Sequence, residues 1–94
     1  MSAATVRREG EALVFAGALE RAAVAALWRQ AQPLLKDLRR LDLSAVSAVD
    51  SAGLALLAEL AERIGAGVQV EGDPPGLAEL RAAYRLAPDL TFDT

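Results

Sequence analysis

Residues 41–60 read LDLSAVSAVDSAGLALLAEL, and the hydrophobic period changes once along them. Arg40-Leu41-Asp42-Leu43-Ser44 alternates polar and apolar, as a strand does. From Leu54 the apolar residues recur at three and four, through Leu57, Ala61 and Ile64, as on one face of a helix. Ala45 to Val49 reads as a connection with two valines, Val46 and Val49, turned inward. Between strand and helix lies a polar knot, Asp50-Ser51-Ala52-Gly53.

The knot has a structural reading. A helix leaves its first N–H groups unpaired, and the Ser51 hydroxyl can accept one of them. Asp50 stands near the positive end of the helix dipole, and Gly53 permits close approach of a neighbour. Ser47, three residues before Asp50, offers a competing cap that resembles a capping box. The functional reading uses the same geometry. A hydroxyl at a helix start is beside an anion-binding site, and a phosphate on it would add about −1.5 to −2 charges. Ser51 is then either a switch or a contact in an interface.

Upstream, Thr5 to Gly17 reads as a hairpin. Val6 begins one strand, Glu9-Gly10 turns, and Leu13-Val14-Phe15 forms the second strand, closed by Gly17. From Glu20 or Arg21 a helix is expected, with Val24, Leu27, Trp28, Ala31 and Leu35 on one face. Pro33 should stop or kink it near Gln32. Downstream, Gly65 and Gly67 end the helix begun at the knot. Val68-Gln69-Val70-Glu71 alternates as a strand. Asp73 is the expected N-cap of a third helix, with Pro74 at its first position and Leu77, Leu80 and Tyr84 along it. The tail from Ala87 is weakly determined, and Thr91-Phe92 could add a short strand. The order β-β-α-β-α-β-α predicts an α/β fold, a mixed sheet with helices packed on one face. The strands flanking the second helix should be parallel with a right-handed crossover.

The 94 residues suit one domain, 1–94. A chain of this length buries roughly 60–65% of its unfolded surface, enough for one core. Ten basic and 13 acidic residues give net charge −3, which argues against nucleic acid and anionic membrane surfaces as partners. Cysteine and histidine are absent. That excludes disulfides, Cys or His zinc sites, and the His base of an ordinary serine hydrolase. The composition therefore points away from an enzyme, and no cofactor is expected. No apolar run reaches the ~18–20 residues of a membrane span, and the N-terminal MSAATVRREGEALVF lacks a signal-peptide pattern. A cytoplasmic protein is expected.

Trp28, the single tryptophan, packs in the core or anchors an interface, where tryptophan is enriched. Its neighbour Leu27 already points a large apolar group inward. Arg29 could complete a docking patch. Arg7-Arg8 and Arg39-Arg40 read as solvated strand ends. Asp42 reads as a polar residue of an exposed face or a loop-ordering acceptor. Glu59 can reach Arg63 at i+4. Gly72-Asp73-Pro74-Pro75-Gly76 lacks the Lys and spacing of a phosphate loop.

Three segments together resemble the STAS domain, the fold of bacterial anti-sigma factor antagonists. Phe15-Ala16-Gly17-Ala18-Leu19-Glu20 is similar to the family's L-x-G-x-L-D segment. Leu41-Asp42-Leu43-Ser44 corresponds to the strand before its switch loop. Val49-Asp50-Ser51-Ala52-Gly53-Leu54 is similar to its D-S-x-G-L motif, whose phosphorylatable hydroxyl falls on Ser51. Within the family the chain resembles the small STAS subunits of Mla-type phospholipid ABC transporters. There a Leu-Trp pair is matched by Leu27-Trp28, and a D-[ST]-[AG]-G-L-A-L run by Asp50 to Leu56. The resemblance implies a subunit peripheral to the inner membrane that binds the transporter's ATPase. Ser51, Asp50, Gly53, Ser47, Trp28 and Arg29 would then serve partner binding. The alternative it implies is a partner-switching regulator phosphorylated on Ser51 by an anti-sigma kinase. Ala52 stands where many anti-sigma antagonists carry a second Ser, and Glu20 replaces Asp. An apolar docking face without its partner could pair two copies of the chain.

Overall fold

β1 (Thr5–Glu9) and β2 (Ala12–Leu19) form an antiparallel hairpin in the computed structural model, which describes residues 4–65, 67–87 and 90. The turn falls on Gly10-Glu11, one residue later than expected, with Gly10 at φ 59°. β2 does not close at Gly17. It runs on to Leu19 because its pairing with the next strand continues through Gly17, Ala18 and Leu19. The register shifts between Gly17 and Ala18, so this glycine, at φ 86°, marks a bulge rather than a turn.

α1 spans Arg21–Ala31 and tightens into a 3₁₀ turn at Gln32–Leu34, where Pro33 removes a backbone donor. β3 covers Arg40–Val49. The expected connection Ala45–Val49 is therefore strand, held in parallel register against Ala16–Leu19. Its Ala and Ser residues carry weak strand preference, and pairing overrides it. α2 spans Ser51–Ile64 and ends at Gly65, φ 119°. β4 is Gln69–Glu71, parallel to β3. α3 is Leu77–Ala83.

Asp73 does not cap α3. The residue before the helix is Gly76, at φ 93°. The Asp-Pro-Pro run crosses the end of β3 first, and the Pro75 carbonyl accepts the Val49 N–H at 3.1 Å. Tyr84 closes α3 and is 51% exposed. Thr91-Phe92 lies outside the described residues.

The sheet order is β1-β2-β3-β4. One face carries Leu13, Phe15, Leu41 and Leu43, all essentially inaccessible, and they join Leu27 of α1 and Leu57 and Leu60 of α2 in a single core. Of the helix stripes, Leu27, Ala31, Leu54, Leu57 and Ala61 are buried, while Val24, Trp28, Leu35 and Ile64 are half-buried at its margin. The opposite sheet face carries Arg7, Val14, Asp42 and Glu71 in one cross-strand row. Asp42 accepts the Ser44 N–H at 2.9 Å, which holds its carboxyl below its ordinary pKa. Arg39 is the solvated strand end expected, loosely paired with Glu11, whereas Arg40 is half-buried, loosely paired with Glu71, and its Nε is buried without a hydrogen-bond partner among the described residues. Arg8 also differs. It is half-buried and donates to the carbonyls of Gly10, Leu34 and Lys36, tying the hairpin to the end of the 3₁₀ turn.

Candidate docking site

β2 and β3 end side by side, Leu19 opposite Val49. Each passes within one residue into a helix, Glu20 into α1 and Asp50 into α2. Two helix N-termini therefore meet at one end of the sheet, beyond the C-terminal ends of its two central strands. Glu20 caps nothing with its side chain. Asp50 serves both helices: Oδ1 accepts the Gly53 N–H at 2.8 Å and Oδ2 accepts the Arg21 N–H at 3.0 Å. The Gly53 bond, then the Arg21 bond, holds the Asp50 carboxyl below its ordinary pKa. The charge is favourable at both positive dipole ends.

Gly53 fits for a separate reason. A Cβ there would stand 1.9 Å from the Leu19 carbonyl oxygen. The same oxygen accepts the Asp50 N–H at 3.2 Å. α2 thus starts in contact with the backbone of β2.

Because Asp50 is the cap, Ser51 is not. It takes the first helical position and is exposed, its hydroxyl left out of the cap. Ser47 is no cap either. It lies within β3 and is exposed there, so the capping-box alternative is overturned by the extension of that strand. Asp50, Ser51 and Gly53 come together with Arg21, and Ser47 stays apart on the strand.

Trp28 and Arg29 sit further along. Trp28 is half-buried against the core, and the Arg63 guanidinium lies over its ring, 5.0 Å from the centroid. Arg63 also pairs with Glu59 at 3.5 Å, as the spacing predicts. Arg63 follows Ser51 by twelve residues of α2, roughly 18 Å at 1.5 Å per residue. Ser51 and Trp28 therefore mark two ends of one surface made by α1 and α2. Arg29 is exposed on the last turn of α1.

One feature of the site escapes the sequence reading. Ser51, Leu54, Ala55 and Ala58 of α2 face Tyr84 and Leu86 across an apolar groove of about 210 Å³. Only the Leu54–Ala58 spacing hints at one wall, and the other wall comes from beyond α3. A larger depression, about 680 Å³, lies elsewhere, between Glu11, Arg39, Ile64 and Gln69. Among the described residues, no cluster of three His, Cys, Asp or Glu could hold a metal ion. Among them, too, no helix is long and apolar enough to cross a membrane.

A parallel β2-β3-β4 sheet with a leading hairpin and helices on one face is the arrangement of an anti-sigma factor antagonist. The solved structure of SpoIIAA in its unphosphorylated form superposes with a TM-score of 0.61, covering 98% of this chain and 90% of that one at 16% identity. The family model described as Mlab, STAS domain, matches residues 4–91, and the chain belongs to that family. Relatives in Escherichia coli (strain K12) and Shigella flexneri, each named intermembrane phospholipid transport system binding protein MlaB, are 33% identical over 84 residues. The match spans 86% of this chain and 87% of theirs.

Proposed function

We propose that this chain is a non-enzymatic accessory subunit of a phospholipid ABC transporter, held on the cytoplasmic side of the inner membrane by binding the transporter's ATPase. The observation that carries the reading is the double cap by Asp50, which locks the starts of α1 and α2 together and leaves Ser51 exposed. The naming of its relatives as phospholipid transport binding proteins supports the transporter context. Ser51 and the apolar groove beside it meet the ATPase at one end, and Trp28 with Arg29 at the other. No step of chemistry is assigned to this subunit. Binding favours the assembled transporter by mass action.

The test is direct. Ser51→Glu and Trp28→Glu each weaken binding to the purified ATPase by at least about tenfold, or 1.4 kcal/mol. Isothermal titration checks this, with circular dichroism confirming the fold. Wild-type affinity in both folded variants would sink the interface.

One observation favours a second reading, the anti-sigma antagonist. Ser51 is exposed at the first helical position of an antagonist-like fold. A kinase would add charge there, beside the Asp50 carboxylate, and repulsion would weaken the surface. Incubation with the cognate kinase and ATP separates the two readings. Absence of a mass gain on Ser51 removes the second.

A further inference from the structure

Segment 21–36 carries Arg21, Arg29 and Lys36 and no acid, in a chain of net charge −3. At 100° per residue, Arg29 falls at the centre of the exposed arc of α1, which runs from Arg21 to Gln30. Ala22, Ala25 and Ala26 share that arc and are exposed. Their short side chains leave the arginines as the tallest groups. Leu27 and Ala31 lie opposite and are buried. Trp28 falls at the margin of the arc that faces α2, where Arg63 covers its ring.

The arginines of this chain differ in how they are neutralised. Arg7, Arg39, Arg40 and Arg63 each have a carboxylate within ion-pairing reach. Among the described residues Arg29 has none, and neither have Arg8, Arg21, Arg81 and Arg85; of these, Arg29 is the one next to Trp28 in sequence. A partner seated over the Trp28 ring covers Arg63, which lies on it, and one that also spans the exposed arc of α1 covers Arg29. Removing an arginine from water without an acceptor costs several kcal/mol. A complex stable enough to matter must therefore bring that acceptor.

Resting on the docking reading above, we infer that the partner presents a protein surface with carboxylates beside an apolar pocket. The apolar pocket closes over the part of the Trp28 indole that the core and Arg63 leave exposed, and the acids pair with Arg29 and join Glu59 around Arg63. Arg29 is the specificity-determining contact. Arg63 is a positioning residue that holds the indole ready. Like charge on the partner would be rejected at this edge.

The probe is the purified cognate ATPase, titrated into labelled full-length chain at low and high salt. Arg29→Glu weakens binding by about tenfold or more, and Arg29→Lys stays within about threefold, since charge and not shape is read there. Wild-type affinity falls as salt rises, and the Arg29→Glu variant loses most of that dependence. Because Trp28 is the only tryptophan, Arg63→Gln also shifts the emission of the free chain, a signature that loss of a surface ion pair alone would not produce. Ser51→Glu runs in parallel. Should it weaken binding while Arg29→Glu stays within about twofold of wild type and salt has no effect, the acidic surface is wrong and the docking reading stands. Should Arg29→Glu leave binding unchanged, the inference falls, and should Ser51→Glu and Trp28→Glu leave it unchanged as well, the docking reading falls with it. Vesicles of anionic phosphatidylglycerol are the remaining arm. Co-sedimentation that depends on Arg29, without binding to the ATPase, overturns the inference in favour of a membrane surface.

Discussion

Replacing Gly53 with alanine lowers the stability of this chain by about 3 kcal/mol, the upper part of the range for forcing extra volume into a packed site. Helix propensity alone predicts the opposite sign, since alanine is favoured over glycine within a helix by about 1 kcal/mol. The packing contact decides. A Cβ at position 53 stands 1.9 Å from the Leu19 carbonyl oxygen and 2.8 Å from its carbon. Both are backbone atoms of a paired strand, so they cannot swing aside as a flexible side chain would. α2 must lift away from β2, and the Asp50 N–H bond to Leu19 goes with it. For a domain with about 5–15 kcal/mol in total, this is a large fraction. Urea denaturation of Gly53→Ala measures it. A midpoint equal to wild type would mean that α2 does not start against β2.

Asp50→Ala is the second large effect, about 2 kcal/mol at neutral pH. One lost N-cap typically costs about 1 kcal/mol, and here one carboxylate caps two helices, through Gly53 and Arg21. The pH dependence follows from the sign of the shift. The Asp50 pKa is lowered in the folded chain, first by the Gly53 N–H and then by the Arg21 N–H. Such a group contributes stability that is fully present above its unfolded pKa and lost as pH falls through its folded one. The gap between wild type and Asp50→Ala is therefore widest near pH 7 and narrows in acid. Denaturation at pH 7 and pH 3 checks this, and a gap that does not change with pH would show that the carboxylate charge is not what holds the helix starts. Amide exchange adds a local readout. Early protection in α1, not only in α2, drops in the variant.

Several elements were legible because their causes are local. The alternation at Leu41–Ser44, the three-and-four spacing from Leu54 and the Pro33 break each act over a few residues, and each appears where expected. The Glu59–Arg63 pair is equally local. The Asp50-Ser51-Gly53 knot also announced a helix start. It did not announce which residue caps. Asp50, Ser51 and Ser47 all have the chemistry, and only the length of β3 removes Ser47 from the competition. That length was illegible because Ala45, Ser47 and Ala48 have little strand preference of their own. Their strand state comes from β2, nearly thirty residues away.

By itself, then, the sequence determined the order of the elements, the faces that Leu27, Leu57 and Leu41 turn inward, and the presence of a polar helix start at position 50. These follow from side-chain period and backbone preference, which are properties of neighbours along the chain. The tertiary structure alone decided that Asp50 reaches Arg21 across 29 residues. It also decided that Gly53 must be bare against Leu19, that Trp28 meets Arg63, and that Tyr84 and Leu86 close a groove over Leu54. Each of these is a contact between segments remote in sequence, and its geometry exists only once the parallel pairing of β2 with β3 has brought two helix starts to the same end of the sheet.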